Sequence, residues 1–220
     1  MDGILLVNKP SGMTSHDVVA VVRRKFHMRR VGHAGTLDPL ATGLLVILLG
    51  QGTKFFDRFV AFDKAYRATM ILGLTTTSAD VEGQELKRLP CAHITQAQVE
   101  AVLKQFVGTL EQKPPMVSAV KIGGKKLYQL ARQGKTIDRP SRKIIISRLE
   151  LERMSPPEVQ FFMECSKGTY VRQLAADVGE ALGCGACISQ IERTKVGPFS
   201  IQDSFRLEDI HESNVRNWQG

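Results

Sequence analysis

The sequence predicts an α+β fold built around a mixed sheet, and three observations carry that prediction. Stretches with strand character and stretches with helix character are mixed, without the regular β-α-β alternation of a doubly wound parallel sheet. One continuous apolar run, Leu44-Leu45-Val46-Ile47-Leu48-Leu49, has the length of a strand covered on both faces. Two stretches, opening at Thr14 and Thr95, carry helix-start signals followed by apolar residues at helical spacing. At 220 residues, 43% hydrophobic and 24% charged, the chain can bury a full core, and one domain spanning 1–220 is expected.

Taken in order, Gly3 to Asn8 reads as a short buried strand ended by the turn Lys9-Pro10-Ser11-Gly12. Thr14 then caps a helix, with Asp17 returning the hydrogen bond and Met13 stapling against Val18. Val18, Val22 and Phe26 fall on its apolar face, while Arg23, Arg24 and Lys25 point elsewhere. The apolar run at Leu44 follows, and Tyr66 to Leu72 reads as an amphipathic strand. Thr95 and Gln98 form a capping box before Val99, Val102, Leu103 and Phe106. Lys126 to Gln133 reads as a short helix. Ile144 to Glu152 and Val159 to Cys165 read as strands joined at Pro156-Pro157, and a helix from about Thr169 to Leu182 stops at Gly183.

Some function classes are excluded early. The longest apolar run is too short to cross a bilayer. The start, Met1-Asp2-Gly3-Ile4, lacks the basic stretch and cleavage site of a secretory signal, so a cytoplasmic protein is expected. Of the four cysteines only Cys184 and Cys187 are closely spaced, with no second pair or histidine at ligand distance. They read as two semi-buried thiols in a reducing compartment, and no metal site is expected.

The net charge of +8 is concentrated rather than spread. Between Pro114 and Arg148 nine basic residues, among them Lys121, Lys125, Lys126 and Arg132, face the single acid Asp138. That segment supplies the whole excess of the chain. Arg23, Arg24, Lys25, Arg29 and Arg30 form a second acid-free cluster. Such concentrations attract polyanions, nucleic acid among them, although charge alone fits a solvated basic face equally well.

The stretch most suited to chemistry is Gly32-His33-Ala34-Gly35-Thr36-Leu37-Asp38-Pro39-Leu40-Ala41-Thr42-Gly43. Its three glycines and one proline predict a tightly shaped loop between a helix and a buried strand. Loops held on rigid scaffolds are where catalytic side chains are usually displayed. Asp38 precedes Pro39, which biases its backbone toward an extended form. Read locally, Asp38 also suits a simple turn and His33 a satisfied loop histidine.

This stretch resembles the hallmark motif of the TruB family, the bacterial tRNA pseudouridine-55 synthases. Further segments resemble that family in the same order: Asn8-Lys9-Pro10-Ser11-Gly12, Lys64-Ala65-Tyr66-Arg67-Ala68, Gln112-Lys113-Pro114-Pro115 and Ser118-Ala119-Val120-Lys121. Lys167-Gly168-Thr169-Tyr170-Val171-Arg172 and Arg193-Thr194-Lys195-Val196-Gly197-Pro198-Phe199 complete the set. The matches run from residue 4 to about residue 200, and their order is more specific than any one of them.

The resemblance implies a pseudouridine synthase fold, with a mixed, largely antiparallel central sheet flanked by helices and loops. It implies that Asp38 is the catalytic nucleophile, that Arg172 is its cationic partner, and that Tyr66 stacks on the target base and acts in proton removal. Tyr170 and Ile191 would line the uracil pocket, and His33 would enter the space left by the flipped uridine. The basic segment at about 114–143 would close over RNA, with Lys121, Lys125, Lys126 and Arg132 as phosphate contacts; Lys9 and Arg193 are further expected RNA contacts. The implied partner is the T-arm of tRNA, met by a monomer without a guide RNA, a cofactor or a membrane. Two departures stand out: Glu192 occupies a place usually taken by arginine, and the chain ends at Gly220, so no C-terminal domain of the PUA type is expected. The expected consequence is a weaker grip on the acceptor side of tRNA.

Overall fold

The computed structural model describes residues 1–115 and 137–218, and the backbone of 121–122 and 125–126. In chain order the elements are β1 (Gly3–Lys9), α1 (Ser15–Lys25), β2 (Val31–Ala34), β3 (Thr42–Leu49), α2 (Phe56–Ala61) and β4 (Lys64–Leu72). Then come β5 (Leu74–Thr76), β6 (Glu85–Arg88), α3 (Gln96–Gln105), β7 (Gly108–Gln112), β8 (Lys121–Ile122) and β9 (Lys125–Lys126). The chain continues through β10 (Arg142–Ser155), β11 (Glu158–Cys165), α4 (Val171–Ala181), β12 (Ala186–Val196), β13 (Phe199–Ser200) and β14 (Phe205–Arg206). This is the mixed α+β architecture that the sequence predicts, with strand pairing that is mostly antiparallel.

By compactness the chain divides into two units, Met1–Arg67 with Gln190–Gly220, and Ala68–Ser189. In the first unit the strand order is β14-β1-β3-β12. β1 runs antiparallel to β3 from Gly3 opposite Leu49 to Lys9 opposite Gly43. The other edge of β3 is shared: β2 pairs with Val46 to Leu49, and β12 pairs in parallel with Thr42 and Gly43. The loop 35–41 therefore leaves the sheet where one neighbour of β3 ends and the next begins. Every residue of β3 after Thr42 is buried, which is why its sequence is continuously apolar rather than alternating. Ile4, Leu6, Leu44, Val46 and Leu48 meet Phe59, Val196 and Phe199 on one face.

α1 begins at the expected capping box, with Thr14 and Asp17 exchanging side-chain and backbone hydrogen bonds, and it buries Val18 and Val22. Phe26 is buried just beyond its last residue. β4 differs from expectation. It buries nearly every residue, Arg67 and Ile71 being the clear exceptions, so it is a covered strand and not an amphipathic one. β2 and α2 were not legible as elements, because a four-residue strand containing Gly32 and His33 and a six-residue helix are too short to show a period.

In the second unit β4, β11, β10 and β7 are consecutive neighbours, β5 and β6 form a separate hairpin, and α3 and α4 supply the helices. β10 extends beyond the predicted Ile144–Glu152, and a register shift between Ile146 and Arg148 re-phases it. Ile144 and Ile146 are thereby buried before the shift and Leu149 after it, as a bulge requires. The helix expected at Lys126 to Gln133 lies largely outside the described residues; Lys125–Lys126 is a strand.

Candidate functional site

The Asp38 loop is held by three buried polar side chains of the first unit. Lys9, 0% exposed at the end of β1, turns its ammonium back on the chain. It donates to the carbonyls of Pro10 at 2.8 Å, Met13 at 2.7 Å and Pro39 at 3.3 Å. Ser15, the first residue of α1 and 1% exposed, accepts from the Leu37 N–H at 2.8 Å and donates to the Leu37 carbonyl at 3.1 Å. Arg193 on β12, 1% exposed, donates through Nε to the Leu44 carbonyl at 2.8 Å and through Nη2 to the Gly35 carbonyl at 3.0 Å. Backbone bonds add to these: Gly12 donates to the Pro39 carbonyl at 2.9 Å and Ala41 to the Asp38 carbonyl at 3.1 Å.

A buried cation must be met by acceptors, and loop carbonyls need donors once water is excluded. The two requirements solve each other here. Lys9 and Arg193, expected as RNA contacts, have buried heads that donate to backbone carbonyls inside the fold. Gly43 belongs to the same device. Its φ is +97°, and a Cβ there would stand 2.4 Å from the Arg193 carbonyl oxygen, so only glycine lets β3 and β12 approach.

Held in this way, Asp38 is half-buried between Leu37, which is buried, and Pro39. Gly32, His33 and Ala34 are not loop but strand, paired with Leu48, Ile47 and Val46 of β3. Asp38 therefore follows four residues after a strand end that is itself locked in register. His33 is half-buried, and its Nδ1 is enclosed without a hydrogen-bond partner among the described residues. Burial, and then the nearby charges of His16 and Arg193, push its pKa down to about 4. The imidazole is thus neutral through the physiological range. Tyr66 and Ile191, the other expected site residues of this unit, are 9% and 6% exposed on β4 and β12.

The second unit presents Tyr170 and Arg172 at the start of α4. Tyr170 is the residue preceding the helix, and Gln112 of β7 clamps its backbone: the Tyr170 N–H donates to Gln112 Oε1 at 2.8 Å, and Gln112 Nε2 donates to the Tyr170 carbonyl at 3.1 Å. Arg172 is not the exposed helix charge that its neighbours allow. It is 3% exposed, pairs with Asp80 at 3.2 Å, and donates to the Ser78 carbonyl at 2.9 Å. Asp80 is itself fixed by Ser78 Oγ at 2.5 Å and the Glu82 N–H at 3.1 Å. Desolvation offsets much of the attraction in such a buried pair, while removing either partner would leave an uncompensated buried charge.

Asp80, Ser15 and His16 escape the sequence reading, and Gln112 enters it only as the first residue of a motif, with no role of its own. Asp80 lies outside the quoted motifs and Ser15 and His16 sit at an ordinary helix start, so only burial or ring contact marks them. Of the expected phosphate contacts, Arg132 and the side chains of Lys121, Lys125 and Lys126 lie outside the described residues. Among the described residues of the basic segment, Arg142 and Lys143 are exposed at the start of β10. Cys184 and Cys187 are buried free thiols, and burial raises the pKa of both, that of Cys187 to about 11. No helix of the described residues is long and apolar enough to cross a membrane.

Known proteins resemble this chain along nearly its whole length. Residues 23–171 match the TruB family pseudouridylate synthase N-terminal domain, and residues 172–218 match the tRNA pseudouridylate synthase B C-terminal domain. The chain is 45% identical over 210 residues to the tRNA pseudouridine synthase B of Opitutus terrae, covering 96% of this chain and 87% of that protein. It is 48% identical to the protein of the same name from Syntrophotalea carbinolica, covering 96% and 69%. Among solved structures, a chain of a Cbf5-Nop10-Gar1 complex aligns with a TM-score of 0.75 at 29% identity, over 94% of this chain and 53% of that one. An H/ACA RNP bound to a substrate RNA containing 2′-deoxyuridine aligns with a TM-score of 0.71 at 26% identity, over 94% and 51%. This chain thus spans about half the length of those solved chains. With a loop built to display one aspartate and relatives this similar along nearly the whole sequence, the chain belongs to the TruB family of pseudouridylate synthases.

Proposed function

We propose that the protein isomerises a uridine of tRNA to pseudouridine, at position 55 in the T-loop, with Asp38 as the nucleophile. The observation that carries this reading is the fixed display of Asp38 on a loop clamped by buried Lys9, Ser15 and Arg193. The reaction breaks the bond from uracil N1 to ribose C1′ and forms one from C5 to C1′. The hydrogen leaves C5 and a proton returns to N1, so atoms and electrons balance without a redox partner or cofactor. Asp38 supplies an ionised oxygen to C1′ or to uracil C6, or stabilises the electron-poor sugar carbon.

Arg172 is the cationic partner proposed for Asp38 in the reacting complex, its planar fork suited to holding a carboxylate. Tyr66 stacks on the base and acts in removing the C5 proton, and Tyr170 and Ile191 close the uracil pocket. The target uridine must leave its stack before chemistry, and neutral His33 fills the vacated place. The protein acts as a monomer in the cytoplasm, with no guide RNA and no membrane.

The test is incubation of purified protein with an unmodified tRNA transcript, followed by mapping of pseudouridine. The wild-type protein should give product in the T-loop without an added guide, and Asp38→Asn should give none. Because Asp38→Asn keeps the shape of the side chain, tRNA affinity should stay within about two-fold, since charge contacts to phosphate dominate affinity. Normal pseudouridine levels in that variant would remove Asp38 from the mechanism, and product outside the T-loop would overturn the assigned position. Activity only with an added guide RNA would favour a guided enzyme instead.

A further inference from the structure

We infer that His16 is a positioning residue for His33, its ring fixing the orientation from which the His33 imidazole enters the RNA stack. The inference rests on the proposed role of His33 in supporting the flipped uridine.

A histidine ring is usually oriented by a hydrogen bond to one of its nitrogens, and its last torsion is otherwise broad. His33 lacks that restraint, because Nδ1 is enclosed and has no partner among the described residues. What meets its ring is His16. The two rings stand edge to face, with centroids 5.1 Å apart and planes at 79°, a favoured geometry for an aromatic pair. His16 is an exposed side chain, so its contact with His33 is not explained by core packing.

The backbone that carries His16 is anchored on both sides. Thr14 and Asp17 form the capping box of α1, and Ser15 grips Leu37 through both its backbone groups. The first turn of α1 thereby touches the β2-to-β3 segment twice, by a hydrogen-bonded serine beside Asp38 and by a ring against His33. Together the two contacts set the nucleophile and the stacking ring from one rigid helix start. Burial, and then the nearby charges of His16 and Arg193, keep the His33 ring neutral.

Single-turnover pseudouridine formation on an unmodified tRNA transcript tests this, with tRNA affinity measured separately by filter binding. His16→Ala should slow the step about ten-fold with affinity unchanged, because a loosened group costs rate more than binding. His16→Phe should restore most of the rate, since it keeps a ring edge and lacks both nitrogens, whereas His16→Asn should stay slow. The His33 ring resonances in NMR should shift and broaden in His16→Ala and recover in His16→Phe. A wild-type rate in His16→Ala overturns the inference. So does a His16→Phe protein as slow as His16→Ala, which would make the His16 nitrogens direct RNA contacts. His33→Ala separates the two levels: a slow His33→Ala beside a fast His16→Ala sinks only the positioning role, while a fast His33→Ala sinks the reading of His33 itself.

Discussion

His33 shows how a single residue is tuned by its surroundings. In the unfolded chain its imidazole protonates near 6.5, whereas burial in the folded protein lowers that to about 4. The unfolded state therefore binds the extra proton between those values, and folding stability falls as pH drops through that window. Replacing His33 by Gln removes this dependence. Urea unfolding at pH 7 and pH 4 should show the wild-type protein losing on the order of 2 kcal/mol more than His33→Gln, after allowance for partial exposure. Equal losses in both proteins would mean that His33 is not held neutral by the fold. Lys9 and Arg193 teach a related lesson. Their charge type invites a phosphate, but burial commits their heads to the carbonyls of the loop, and that distinction is invisible in a list of residues.

At the scale of elements, the Asp38 loop owes its shape to neighbours distant in sequence. α1 contributes Ser15, β1 contributes Lys9, and β12 contributes Arg193, each bonding to a different part of the segment from Gly35 to Leu44. Ser15→Ala leaves the Leu37 N–H and carbonyl in a buried place without their hydroxyl partner. It should destabilise the protein by about 1–3 kcal/mol, read by urea unfolding. Because the loop is then free to shift, kcat should fall more than KM rises, and a raised KM with kcat unchanged would point to lost RNA binding instead. In the second unit, α4 starts without a side-chain cap of its own, and Gln112 of β7 fixes its first turn by gripping Tyr170. That grip sets where Tyr170 and Arg172 begin.

At the scale of the whole molecule, the excess positive charge is expected to steer the proposed encounter with RNA. Arg142 and Lys143 are exposed on the described part of the basic segment, where they can neutralise phosphates without cost to the core. Arg142→Gln combined with Lys143→Gln should lower the slope of log affinity against log salt by about 1–2, with unfolding unchanged. An unchanged slope would place the phosphate contacts elsewhere on the chain. The charge also bears on the Glu192 departure: it is half-buried on β12 beside buried Arg193, and it adds a negative charge where relatives are expected to carry a positive one.

The sequence by itself determined the α+β class, the capped starts of α1 and α3, the covered strand β3 and the identity of Asp38 as the residue to watch. These are properties written locally, in capping pairs, apolar runs and contiguous motifs. Only the tertiary structure decided that Gly32 to Ala34 form a strand and that β4 is covered on both faces. It alone set Lys9, Ser15 and Arg193 to hold a loop, gave Arg172 a buried ion pair with Asp80, and brought His16 against His33. The reason is physical. Hydrogen bonds to buried carbonyls and contacts between rings join residues tens to more than a hundred positions apart, and no periodicity or spacing along the chain records them.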